Sequence, residues 1–198
     1  MRWDDLFDDL EGQLEQERGA EETDLRAEQE RHRLSRLFIR DRLLALSLSE
    51  NGAPVRVTLS DGLTLDVRPH TFGRDWISGD IVNERSREIL FILPLDAIAG
   101  LTLTRAQVLE SLEDVATVET ERGLSRRLGL AFVLRDLCRR RKSVELVLKD
   151  GVAMGTIDRV GREHLDLAVH ERGTARRESL VSRYRVVPFS RLLLVRLQ

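Results

Sequence analysis

The sequence lacks most of the residues that mark enzymes, secreted scaffolds and membrane proteins. Cys138 is its one cysteine, so no disulfide framework can form within the chain, and a lone thiol suits a reducing compartment. Aromatic residues are scarce, at 5%. No apolar run approaches the roughly 20 residues of a membrane-spanning helix. The acidic N-terminus is the opposite of a secretory signal. The expected location is the cytoplasm. His32, His70, His164 and His170 show no metal-ligand spacing, and Cys138 falls inside an apolar helical pattern. There is no phosphate loop, dinucleotide fingerprint or nucleophile elbow. These absences point to a protein that is not an enzyme, with no cofactor and no metal.

What is present is charge and aliphatic residues. The 198 residues are 41% hydrophobic and 33% charged, enough to fill a core beneath a charged surface. The net charge of −2 conceals a split. Residues 1–24 carry ten acidic residues against Arg2 and Arg18, a net of −8, whereas residues 121–198 carry eighteen basic against nine acidic, a net of +9. An acidic arm and a basic body bear on partners more than the overall balance does.

The chain also repeats itself. Pro54-Val-Arg-Val-Thr-Leu-Ser-Asp61-Gly62 matches Ser143-Val-Glu-Leu-Val-Leu-Lys-Asp150-Gly151. Each is an alternating strand running into Asp-Gly, a hairpin signal because glycine accepts positive φ. Further strands follow at Leu63–Val67 and Val152–Ile157, then loops holding Gly73 and Gly161, then strands opening at Asp75-Trp76-Ile77 and Glu163-His164-Leu165. Both copies close on one formula, Leu93-Pro94-Leu95 with Ile98, Leu101 and Leu103, and Val187-Pro188-Phe189 with Leu192, Val195 and Leu197. The offset is 89 at the Asp-Gly turn, 88 at the loop glycine and 94 at the proline, as insertions at exposed turns produce. Helical spacing precedes each copy, over Arg33–Leu46 and over Leu124–Arg141. Five short strands per copy suggest a small barrel.

A helix, a strand, an Asp-Gly turn and a bent five-strand meander resemble the Sm-like (LSm) fold. The second copy carries Leu148-x-x-Gly151, Gly155-x-Ile157 and His164-Leu165-x-Leu167, which resembles the first Sm motif. RNA-binding members place an Asp and an Asn in the loop between strands 2 and 3. Here Gly73 and Gly161 fall at the Asp position and Trp76 and His164 at the Asn position, while Pro94-Leu95 and Pro188-Phe189 replace the Arg-Gly of the second motif. The resemblance therefore implies the fold more than a uridine pocket. The opening Met1-Arg2-Trp3-Asp-Asp-Leu6-Phe7 also resembles an uncharacterised actinobacterial family, some of whose members are labelled Fis-family transcriptional regulators. The sequence shows no helix-turn-helix.

Candidate binding residues follow. Arg74 with Trp76, and Arg162 with His164, occupy matching loop positions, where an aromatic ring can stack a base and a guanidinium can meet a phosphate. Equally, Trp76 can cap a barrel core and His164 can be a surface histidine. The run Arg139-Arg140-Arg141-Lys142 suits either a helix C-terminus or a phosphate patch, joined by Arg122, Arg126, Arg127, Arg135 and the Arg172, Arg176, Arg177 loop. Trp3, Phe7, Leu10 and Leu14 line one face of an acidic helical stretch and are candidate protein-docking residues.

The expected fold is mainly β with helices: two tandem Sm-like five-stranded antiparallel barrels, each preceded by a helix, plus an N-terminal acidic helical arm. The expected divisions are an arm over 1–33, a first unit over 34–104, a connector over 105–120 and a second unit over 121–198. The expected role is regulatory binding of single-stranded RNA through the barrels. The alternative is a protein–protein scaffold or adaptor using residues 1–24 and the barrel edges, with no nucleic acid bound. Barrels of this kind pair within a chain or between copies, with Leu192–Leu197 the candidate edge strand. No membrane contact is expected.

Overall fold

The computed structural model describes residues 18–19, 22–49, 52–82, 89–113, 115, 125–170, 181 and 183–197. The chain divides into two compact units, Met1–Phe38 and Ile39–Gln198. In the first, residues 22–34 form an exposed, charged helix, α1. Pairs one turn apart lie along it, Glu22 with Arg26 at 3.3 Å and Glu30 with Arg33 at 2.6 Å. Exposed pairs like these contribute little to stability, because water screens them.

The helix expected over Arg33–Leu46 is broken. Residues 35–38 turn out of it, and the Ser35 hydroxyl donates to the His32 carbonyl at 2.8 Å. Serine offers the backbone this local alternative to the helical ladder. A separate helix, α2, spans Ile39–Leu48 and buries Leu43, Leu44 and Leu46.

The second unit continues with β1 (Val55–Leu59), β2 (Thr64–Phe72), β3 (Trp76–Ile81), β4 (Ile89–Pro94), β5 (Ile98–Thr102) and the short helix α3 (Arg105–Glu110). Thr104 and Gln107 close a capping box at the start of α3, satisfying two backbone N–H groups reciprocally. Then come α4 (Leu130–Arg139), β6 (Ser143–Leu148), β7 (Gly151–Val160), β8 (His164–Val169), β9 (Arg183–Pro188) and β10 (Leu192–Leu197). The strands form one antiparallel ten-stranded sheet in the order β5-β1-β2-β3-β4-β10-β6-β7-β8-β9.

Each half of this order is the same meander, and the halves agree in detail. β1 pairs β5 through Val57–Leu101 and Thr58–Gly100 with a bulge at Ala99, and β6 pairs β10 through Leu146–Val195 and Val147–Leu194 with a bulge at Leu193. β2 bulges between Pro69 and Thr71, and β7 at the matching place between Ile157 and Arg159. The Ser60 N–H donates to Ala97 at 2.9 Å, and the Lys149 N–H to Arg191 at 3.0 Å. Gly62 and Gly151 both hold positive φ at their turns, 90° and 132°, which is why Asp-Gly stands at both.

Two expectations change here. The sheet is continuous and open: β4 pairs with β10, not with β5. Leu192–Leu197 is consequently interior, with β4 on one side and β6 on the other. Its apolar run explains the placement, because Leu193, Leu194 and Val195 are all fully buried. The two cores also exchange residues. Leu193, Leu194 and Val147 of the second half pack with Val57, Leu59 and Phe91 of the first. Trp76 and Ile92 of the first pack with Leu134, Leu146 and Leu165 of the second. Each such side chain contributes about 1.5–3 kcal/mol of hydrophobic stabilisation, so the halves fold as one body. Among the described residues no helix is long and apolar enough to cross a membrane.

Candidate functional site

The β2–β3 loop of the first half, Gly73-Arg74-Asp75-Trp76, meets the chain that leads into α4. The expected helix from Leu124 is a 3₁₀ turn at Ser125–Arg127 instead, and α4 starts only at Leu130. Leu128 and Gly129 are spent on the loop. The Arg74 N–H and the Trp76 Nε1–H both donate to the Leu128 carbonyl at 3.0 Å. The Leu130 N–H donates to Asp75 Oδ1 at 2.7 Å. A helix N-terminus has unsatisfied N–H groups, and a carboxylate there is favoured by the dipole as well as by the bond.

Trp76 is therefore a core residue, 5% exposed, with its one polar atom satisfied. Its ring lies over Gly73, where a Cβ would stand 2.1 Å from Nε1. The second half builds the same loop. The Gly161 N–H donates to the His164 carbonyl at 2.8 Å, as the Gly73 N–H does to Trp76, and the His164 ring lies over Gly161. But His164 is exposed, as are Arg162 and Glu163.

The two loops contribute Arg74 and Arg162 to one groove of about 360 Å³, together with Lys149, Asp75 and Asp96. Two of the arginines singled out from the sequence thus come together, though carboxylates share the groove with them. Arg74 itself faces Asp75 at 3.4 Å.

The basic run at the end of α4 behaves differently. Arg139 and Arg140 both bind Asp136 at 2.6 Å. The hydrogen bond from Arg139, with that from Arg140, holds the Asp136 carboxyl below the usual carboxylate range. Arg141 donates to Asp158 at 3.1 Å, and Lys142 is exposed. Along the sheet the pattern continues: Arg56 with Asp66 at 2.9 Å, Arg185 with Asp150 at 2.8 Å and Arg196 with Glu145 at 2.5 Å. The Asp66 carboxyl is held low by its hydrogen bond from Arg56. Arg135 donates to the Gly161 carbonyl at 3.2 Å. Trp3, Phe7, Leu10, Leu14, Arg122, Arg172, Arg176 and Arg177 lie outside the described residues.

Sequence reasoning passed over Asp75, Leu128 and Ile92, which build the junction. Asp75 had a signal, an acidic residue between two loop positions already singled out. Leu128 acts through its carbonyl and Ile92 through a partner strand about a hundred residues away, and neither has a local signature. No protein family, no curated protein and no solved structure matches this chain.

Proposed function

We propose that this chain is a non-enzymatic protein-binding scaffold, built from two diverged Sm-like units, that recruits its partners through protein surfaces and not through nucleic acid. The observation that carries the reading is the pairing of its cations. Arg56, Arg139, Arg140, Arg141, Arg185 and Arg196 each have a carboxylate within 3.1 Å, so a polyanion would have to displace those carboxylates one by one. Trp76, the aromatic ring of the first half's β2–β3 loop, is closed off by Leu128 and has no face to stack a base. The like order and register of the two meanders support the Sm-like reading of each half.

One observation favours the other reading, binding of single-stranded RNA: Arg74, Lys149 and Arg162 line a single groove. Fluorescence-anisotropy titration with labelled mixed-sequence RNA and DNA at two salt concentrations decides between them. The scaffold reading expects no saturable binding at either salt. Salt-sensitive binding that is lost in Arg162→Ala and His164→Ala would overturn it. Pull-downs with and without residues 1–24, which carry Trp3, Phe7, Leu10 and Leu14, then ask whether the acidic arm captures a partner.

A further inference from the structure

We propose that the groove lined by Arg74, Lys149 and Arg162 is a docking site for an extended segment of a partner protein that carries a carboxylate beside a large apolar side chain. This rests on the protein-scaffold reading and names the chemistry of the partner.

Both halves build the groove from the same two parts. In the first half the β2–β3 loop is tied to the 3₁₀ turn Leu95–Ala97, the Leu95 N–H donating to the Asp75 carbonyl at 3.0 Å. In the second the β7–β8 loop is tied to the 3₁₀ turn Phe189–Arg191, the Phe189 N–H donating to the Glu163 carbonyl at 2.8 Å. Lys149 joins this second wall through its N–H, which donates to the Arg191 carbonyl at 3.0 Å. Backbone bonds therefore hold both walls before anything binds, so a ligand meets little ordering cost.

The matching walls carry unlike charge. In the first, Asp75 already accepts from the Leu130 N–H and faces Arg74, and Asp96 adds an exposed carboxylate. In the second, Ser190 stands where Asp96 does, and Lys149 and Arg162 are exposed with no carboxylate partner among the described residues. Arg74 against Asp75 and Asp96 gives the first wall a net of −1, while Lys149 and Arg162 give the second +2. Arg56, Arg141 and Arg185 find their carboxylates within the chain; Lys149 and Arg162 leave theirs to a partner.

Pro94, Ala97, Leu130, Phe189 and Leu192 add apolar surface to the same groove. Its volume of about 360 Å³ falls within the roughly 300–1,000 Å³ of ordinary binding clefts. An apolar side chain buried there supplies affinity, and the charges around it supply register and on-rate. A phosphodiester chain fits less well, because its unbroken row of charges would meet Asp96 as well as the two cations. A peptide carboxylate stands alone, and a backbone N–H or a basic side chain beside it answers Asp96.

Selection from a random-peptide display library on the full chain, followed by fluorescence-anisotropy titration of the enriched peptides, tests this. Enriched peptides should combine Asp or Glu with a large apolar residue and bind with Kd below about 100 μM. Replacing either of those residues in the peptide by serine should weaken binding. In the Lys149→Glu, Arg162→Glu double variant both changes are exposed, so its thermal melt should match wild type. That variant should bind the acidic peptides at least about tenfold more weakly, and should prefer versions in which lysine replaces the acidic residue. Enriched peptides without acidic residues, no peptide below about 100 μM, or equal affinity for the double variant would each overturn the proposal. A failed selection together with no saturable RNA binding removes the groove site and leaves the scaffold reading to the acidic arm. Saturable RNA binding that is lost in Arg162→Ala removes the scaffold reading, and the groove proposal with it.

Discussion

Trp76 and His164 occupy the same position in two copies of one loop, and their substitution should have opposite consequences for stability. Truncating Trp76 to alanine empties a site in the second core, where the ring packs with residues of both halves. Removing a buried tryptophan costs about 3–5 kcal/mol, the spread reflecting how far the site collapses. The loss includes the Nε1 bond, without which the Leu128 carbonyl keeps only its bond from the Arg74 N–H. For a body of this size each kcal/mol moves the midpoint by roughly 2–4 °C, so Trp76→Ala should lower Tm by roughly 6–20 °C. Trp76→Phe keeps most of the volume and gives up the hydrogen bond, for a smaller loss of about 1–2 kcal/mol. His164→Ala removes an exposed ring and should stay within about 0.5 kcal/mol of wild type. Thermal and urea unfolding of the three variants, followed by circular dichroism, reads all of this. Equal losses at Trp76 and His164 would refute the asymmetry of the junction. A stable Trp76→Ala chain would refute the assignment of the tryptophan to the core.

Other outcomes follow from particular contacts. Gly79→Ala should destabilise by about 1–3 kcal/mol, because a Cβ there would stand 1.9 Å from the Arg68 carbonyl oxygen of the paired strand; a neutral effect in urea unfolding would mean that β2 and β3 are not so closely apposed. Asp66 and Asp136 are both held below the ordinary carboxylate range by their arginines, so their contribution is present above the unfolded-state carboxylate pKa and is lost as pH falls through the folded values. Tm measured from roughly pH 5 downward should therefore fall less steeply in the Asp66→Asn, Asp136→Asn double variant than in wild type; identical slopes would show that these pairs add nothing.

The repeated strands and their turns were legible in the sequence because their signals are local. Asp61-Gly62 and Asp150-Gly151 mark hairpins, and the positive φ of each glycine is the physical reason for the pattern. The Leu93-Pro94-Leu95 and Val187-Pro188-Phe189 formulas correspond to two 3₁₀ turns with matching extended prolines before them. Helical spacing, by contrast, ran straight through the break at residues 35–38 in the first predicted helix and began before the observed start of the second. Leu37 and Leu128 keep the apolar rhythm, yet neither lies in a helix. A periodic pattern records which residues are apolar, and tertiary bonds such as those to Leu128 decide where the helix begins.

By itself the sequence determined the two-copy plan, the strands and the turns, since each depends on residues within a few positions of one another. The tertiary structure decided everything that depends on what lies across a gap of fifty or a hundred residues. It placed Leu192–Leu197 in the middle of the sheet, buried Trp76 and exposed its counterpart His164, and gave Asp136 and Asp158 to arginines that looked free. Two copies of one motif carry the same local code. Their environments differ because the first copy is covered by the second, and among the described residues nothing covers the second in the same way.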